Sequence, residues 1–145
     1  MKVLDSPRRA PFRNYFPLPN EIYALGLNSG EIAIYGYLLF LENRKTHQCW
    51  PSYKTIGRAV GMSINTVRKY VQTLEDRQLI RVEPTSVITH DSLKRNGNLL
   101  YTIRPIQDAV DYYHDQQMKK AELDAQRRKA AEKLAVLERQ ADTPV

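Results

Sequence analysis

The sequence predicts a mainly α-helical fold with one small β-hairpin, closed by a long C-terminal helix. Three observations carry this prediction. Apolar residues recur at helical spacing in successive segments between Gly30 and Gln78, two of which are separated only by Gly61-Met62-Ser63. Two β-prone runs, 79–83 and 99–103, flank a polar stretch. Beyond Pro105 neither proline nor glycine occurs until Pro144.

The elements follow in order. Residues 1–19 hold four of the eight prolines and four basic side chains with little periodicity, so residues 1–15 are expected to form an extended basic arm. A short helix is expected from Pro19 to Leu25, with Gly26 as its stop and Asn28 or Ser29 as the next cap. The run EIAIYGYLLFLEN puts Ile32, Tyr35, Leu38 or Leu39, and Leu41 or Glu42 at helical spacing, dense enough for a central core helix. Arg44 to Pro51 breaks the pattern, and Gln48-Cys49-Trp50 suits a short edge strand. Ser52 then caps a short helix, Tyr53 to Val60, which Gly61 stops in a left-handed conformation.

Ser63 caps the next helix, expected to run to Gln78. On a helical wheel, Ile64, Val67, Tyr70, Val71 and Leu74 gather on one side and Asn65, Lys69 and Gln72 on the other. Pro84 to Asn98 reads as the polar connection of a hairpin, with Lys94 and Arg95 at its tip. The tail is rich in Ala, Gln, Lys, Arg and Glu, and Asp115 with Lys119 and Asp124 with Arg128 are spaced to support a helix.

Charge narrows the function classes. There are 22 Lys and Arg against 16 Asp and Glu, a net +6, with a pI near 9.5. The excess is local: residues 46–106 hold nine basic and four acidic side chains, whereas residues 107–140 hold seven of each. Such a balance favours a polyanionic partner for the middle of the chain. The single cysteine, Cys49, excludes an internal disulfide and a thiolate zinc cluster. The start lacks a secretory signal and no run approaches a membrane span, so a cytoplasmic protein is expected.

A helix, a short helix, a tight turn, an amphipathic helix and a hairpin, in that order, make a winged helix-turn-helix. The expected layout is the arm at 1–15, the winged domain at 16–106 and the C-terminal helix at 107–145. A reading helix must present polar and cationic side chains near its N-terminus, where they reach base edges in the major groove. Asn65, Thr66, Arg68 and Lys69 meet that demand. Ser52, Tyr53, Lys54 and Ser63 open helices whose free N–H groups attract phosphate, and Lys94 and Arg95 are placed for the flanking backbone.

The segment PSYKTIGRAVGMSINTVRKYVQTLEDRQLIRVEPT resembles the helix-turn-helix core of a family of small bacterial DNA-binding proteins, over residues 16–106. Within it, SINTVRKYVQTLEDRQLI is similar to the reading helix and following strand of broader winged-helix regulator families. More distantly, LNSGEIAIYGYLLFLENRKTHQCWPSYKTIGRAV is similar to the N-terminal domains of plasmid replication initiators and phage replisome organisers. The resemblance implies binding to double-stranded DNA, as a transcriptional regulator or, in the alternative, as a replication initiator or organiser. A winged-helix protein-interaction module without DNA is a third reading.

Blander readings stand beside these. The stripe Ile32, Tyr35, Leu39 reads as core rather than as a ligand pocket. His47, Cys49 and His90 match no zinc spacing, so neither metal nor cofactor is expected. Thr89-His90-Asp91-Ser92 has the residue types of a hydrolase but lies in one loop, and no nucleophile elbow or phosphate loop accompanies it, so catalysis is not expected. In the tail, the heptad frame Ile106, Tyr113, Lys120, Arg127, Leu134 is too polar for a strong zipper. Its recurrent Ala, Leu and Tyr nonetheless suggest self-association as a homodimer.

Overall fold

A computed structural model of the chain describes residues 14–90 and 93–142, so the expected arm at 1–15 falls almost wholly outside the described residues. The chain divides into two compact units, the second beginning at Asp111. Among the described residues, no helix is long and apolar enough to cross a membrane.

The first unit opens with a 3-10 helix, Asn20–Ala24, which buries Ile22. Helix α1, Ser29–Leu41, starts in a full capping box: the Asn28 side chain accepts from the Glu31 amide and the Glu31 carboxylate accepts from the Asn28 amide. Ile34, Tyr35, Leu38 and Leu39 form its buried face, whereas Ile32 is only half-buried. Phe40 points outward and is partly covered by the Phe16 ring, 6.0 Å away between centroids. Helix α2, Tyr53–Val60, and helix α3, Ile64–Asp76, complete a three-helix core around Ile56, Val67, Val71 and Leu74.

Helix α3 ends two residues before Gln78. The Arg77 amide turns back to the Thr73 carbonyl, and Gln78 adopts a positive φ of 67° that sends the chain into the sheet. Ile64, placed by periodicity on the buried stripe, stays 45% exposed, because the first turn of α3 projects beyond the core.

Strands β1 (Gln48–Cys49), β2 (Ile80–Glu83) and β5 (Leu100–Ile103) form an antiparallel sheet in the order β1-β5-β2. The expected polar connection between β2 and β5 is itself structured. Strands β3 (Ser86–Ile88) and β4 (Lys94–Asn96) pair in the register Val87 with Arg95 and Ile88 with Lys94, extending the hairpin into a two-stranded wing. At its base the Gly97 amide donates to the Thr85 carbonyl, and the Thr85 hydroxyl donates to the Asn98 carbonyl. Val87, Ile88 and Leu93 remain exposed on this wing, so it is less polar than its composition suggests.

Helix α4, Ile106–Ala141, begins in the first unit, where Ala109 is buried and Arg104 pairs with Asp108. In the second unit the helix carries the expected pair Lys119 to Asp115, at 3.1 Å. Met118, Leu123, Leu134 and Leu137 are exposed along it.

Candidate nucleic-acid interface

Helices α2 and α3 are set by three local devices. Ser52 and Ser63 cap them, each hydroxyl accepting from the amide three residues on, at 3.0 Å from Thr55 and 3.2 Å from Thr66. Gly61 ends α2 at φ 75°, a conformation that costs glycine nothing. Gly57 lies so close to the turn that a Cβ there would overlap the Met62 carbonyl oxygen. The two helices can therefore meet through a turn of three residues.

This arrangement leaves one face of α3 in solvent. Asn65, Arg68, Lys69 and Gln72 are all exposed on it. Arg68 is held in place: its Nη1 donates to Asn65 Oδ1 at 3.0 Å, and its guanidinium carbon lies 5.5 Å from the centroid of the Tyr53 ring. Lys69 Nζ lies 5.9 Å from the Tyr70 ring. Gln72 is engaged with Asp76 at 3.0 Å, away from the leading end of the helix.

The hydroxyl-bearing candidates occupy different positions. Thr66 is half-buried and its Oγ1 accepts from Ser63, so both side chains are engaged in the cap of α3. Ser52 is likewise bonded to Thr55. Lys54 is exposed in the first turn of α2, where the amides of Tyr53 and Lys54 have no acceptor within the helix. Lys94 and Arg95 lie on β4, and their side chains lie outside the described residues. The structure thus brings Asn65, Arg68, Lys69 and Tyr53 together on one surface.

Sequence reasoning placed Tyr53 among the phosphate contacts at the start of α2; its position under the Arg68 guanidinium depends on how α2 and α3 cross. Asn98 was also missed. Its Nδ2 donates to the Trp50 carbonyl at 3.1 Å, tying the wing base to the segment before α2. No sequence signal marks a contact across 48 residues.

Behind Tyr53, the Tyr101 hydroxyl is buried without a hydrogen-bond partner. Burial, followed by the proximity of Tyr53 and Cys49, pushes its pKa up, so the phenol stays protonated at neutral pH.

Three helices with a tight α2 to α3 turn, followed by a two-stranded wing, define a winged helix-turn-helix domain. Residues 25–80 match the family model of a helix-turn-helix domain, a span that takes in α1, α2 and α3. The comparison with curated proteins found no match. Among solved structures, the chain is similar to a possible transcriptional regulator from Methanosarcina mazei, at 14% identity over 74% of this chain and 82% of that one, with a TM-score of 0.48. It is also similar to S. aureus MepR in complex with DNA, at 13% identity over 83% and 86% of the two chains, with a TM-score of 0.39. A third is Lactococcus lactis ZitR in complex with DNA, at 15% identity over 94% and 90%, with a TM-score of 0.37. None of these likenesses reaches a TM-score of 0.5, so the class rests on the element order and the family match.

Proposed function

We propose that the chain is a sequence-specific double-stranded DNA-binding protein that acts as a transcriptional regulator, with α3 in the major groove. The observation that carries this reading is the exposed row Asn65, Arg68 and Lys69 at the leading end of α3, with Arg68 steadied over Tyr53. Asn suits adenine and Arg or Lys suits guanine, so a good bidentate pair is worth about 1–3 kcal/mol of discrimination. Thr66 lies beside them. Ser52, Tyr53, Lys54 and Ser63 meet phosphates at the two helix starts, and Lys94 and Arg95 meet them from the wing. The chain acts by binding rather than catalysis, in the cytoplasm, with residues 1–15 as a basic arm, 16–106 as the reading domain and 107–145 as a helix that supports a homodimer.

The test is selection of bound fragments from the source genome, followed by titration at several salt concentrations. Promoter-proximal sites are expected, with log affinity falling against log salt at about −0.9 per phosphate neutralised. Asn65→Ala and Lys69→Ala should flatten sequence preference, while Lys54→Ala should weaken all sequences about equally. Enrichment confined to a replication origin would assign the domain to initiation instead, and no affinity at low salt would remove DNA from the reading.

A further inference from the structure

We infer, building on the DNA-binding reading above, that the leading end of α3 selects guanine, with Arg68 as the specifying side chain and Asn65 and Tyr53 as the residues that position it. In the major groove guanine offers two acceptors, N7 and O6, and thymine a single acceptor beside its methyl group. Adenine and cytosine each present a donor, which only a protein acceptor can meet. What a helix selects therefore depends on which acceptors its exposed face still has to offer.

At the leading end of α3 the acceptors are engaged. Residues 64–74 contain no Asp or Glu. Asn65 Oδ1 accepts from Arg68 Nη1 at 3.0 Å. Thr66 Oγ1 accepts from the Ser63 hydroxyl at 2.9 Å, and the Ser63 oxygen accepts in turn from the Thr66 amide at 3.2 Å. Gln72 lies about 10 Å further along the axis, at about 1.5 Å per residue, with its amide nitrogen on Asp76. The adenine pair that suits an asparagine needs Oδ1 to accept from N6 while Nδ2 donates to N7, so it competes with the bond already made to Arg68. Donors, in contrast, are plentiful. An arginine carries five N–H groups in a rigid fork and a lysine three on a compact point charge. Lys69 meets guanine, thymine or phosphate oxygens alike, so the choice among bases falls to Arg68.

Arg68 is constrained from two elements at once. Asn65 holds one of its nitrogens from within α3, and the Tyr53 ring, from the first turn of α2, lies 5.5 Å from its guanidinium carbon. A guanidinium bonded at one edge and faced by a ring has given up much of its freedom before DNA arrives, so less is lost when the fork meets N7 and O6. Tyr53 thus acts on base choice from the other helix of the motif.

The experiment uses the full chain and a library of duplexes with a randomised central segment, followed by the selected duplex carrying single base changes. The selected element should hold a guanine at which adenine weakens binding about tenfold or more. Replacing that base by 7-deazaguanine, which pairs normally but lacks the N7 acceptor, should also weaken binding. Asn65 and Arg68 are exposed and Tyr53 is half-buried, so variants at these positions leave the buried face of α3 intact. Arg68→Lys keeps the charge and loses the fork. It should retain binding to unselected duplex while the guanine-over-adenine ratio falls about tenfold. Asn65→Ala should lower the same ratio at the same base pair, and adding it to Arg68→Lys should change little, because the two residues act as one. Tyr53→Leu should lower the ratio and Tyr53→Phe should keep it, since the ring rather than the hydroxyl faces the guanidinium. A tyrosine that only supports the fold or a phosphate would change affinity for every duplex and leave the ratio alone, which would contradict its positioning role. The inference is overturned if the selected element is indifferent to 7-deazaguanine, if its guanine preference survives Arg68→Lys, or if Asn65→Ala instead removes an adenine preference at a separate base pair, additively with Arg68→Lys. In each of those outcomes the chain still binds DNA; a wild-type chain that binds no duplex at low salt removes the DNA-binding reading itself, and this selectivity with it.

Discussion

In α3, thirteen residues bury Val67, Val71 and Leu74, whereas in α4, thirty-six residues bury only Ala109. The first helix carries threonine, asparagine, two valines and a tyrosine, residues of modest helix propensity, and it depends on the surfaces of α1 and α2 to persist. The second is built from Ala, Gln, Lys, Arg, Glu and Leu, which favour the helix without a partner surface. The contrast separates helix made by tertiary burial from helix made by local preference. It also suits the proposed role of α3, since a helix that reads DNA must be held rigidly by one face in order to present the other.

The largest way to break this contrast is alkali. Burial, then Glu42, pushes the Cys49 thiol up to about 11 from 9.0, and burial, then Glu42 and Glu21, pushes Tyr35 up to about 12 from 10.0. Both groups bind their protons more tightly when folded. Their contribution is therefore complete below about pH 9 and is lost as pH rises through 11 to 12. Trp50 fluorescence and thiol labelling should report loss of the first unit across that window, while far-UV circular dichroism retains a helical signal from α4. A folded core at pH 12 would contradict it.

Leu74→Ala should cost about 2–5 kcal/mol in urea unfolding, because it opens a cavity in the fully buried face of α3. Leu134→Ala, on exposed α4, should cost under about 0.5 kcal/mol. Gly57→Ala follows at about 1–3 kcal/mol, since the new methyl must displace the Met62 carbonyl. A neutral result would mean that the α2 to α3 turn is slack. Ser63→Ala removes the cap of α3 and should cost about 1 kcal/mol, with Ser63→Asp recovering most of it. Comparable to Leu134→Ala is Asp115→Asn, which deletes an exposed pair on α4 while keeping a residue of similar helix propensity and should lower helix stability by about 0.2–0.5 kcal/mol, an effect that salt erases.

Much of the helical framework was legible in the sequence because its signals are local. Ser52, Gly61 and Ser63 announce caps and a stop by residue type alone, and the bounds of α2 follow from them. The end of α3 was less legible, because Gln78 turns by a positive φ that its side chain does not advertise. The wing was read as a polar loop because Pro84 and the scattered Ser, Thr and Asn hide the alternation of β3 and β4, whose pairing is made by backbone register rather than by a buried face. Of the candidate site, the cationic row on α3 could be found from spacing. The Arg68 and Tyr53 stack, the role of Gly57 and the orphan hydroxyl of Tyr101 could not, since each is a relation between distant residues in space.

The pairing of β1 with β5 has a consequence for how the molecule assembles. It sets Gln48 opposite Thr102 and Cys49 opposite Tyr101, and the Gln48 amide side chain donates to the Thr102 hydroxyl across 54 residues. Both helices of the reading motif and the whole wing lie within the loop so closed. Closing a loop of that length costs chain entropy before the sheet returns any contact, so folding of this region should be slow for so helical a protein and strongly all-or-none. Amide protons of α3 and β5 should accordingly exchange through one shared opening event, and a peptide spanning 52–78 alone should not retain the reading helix.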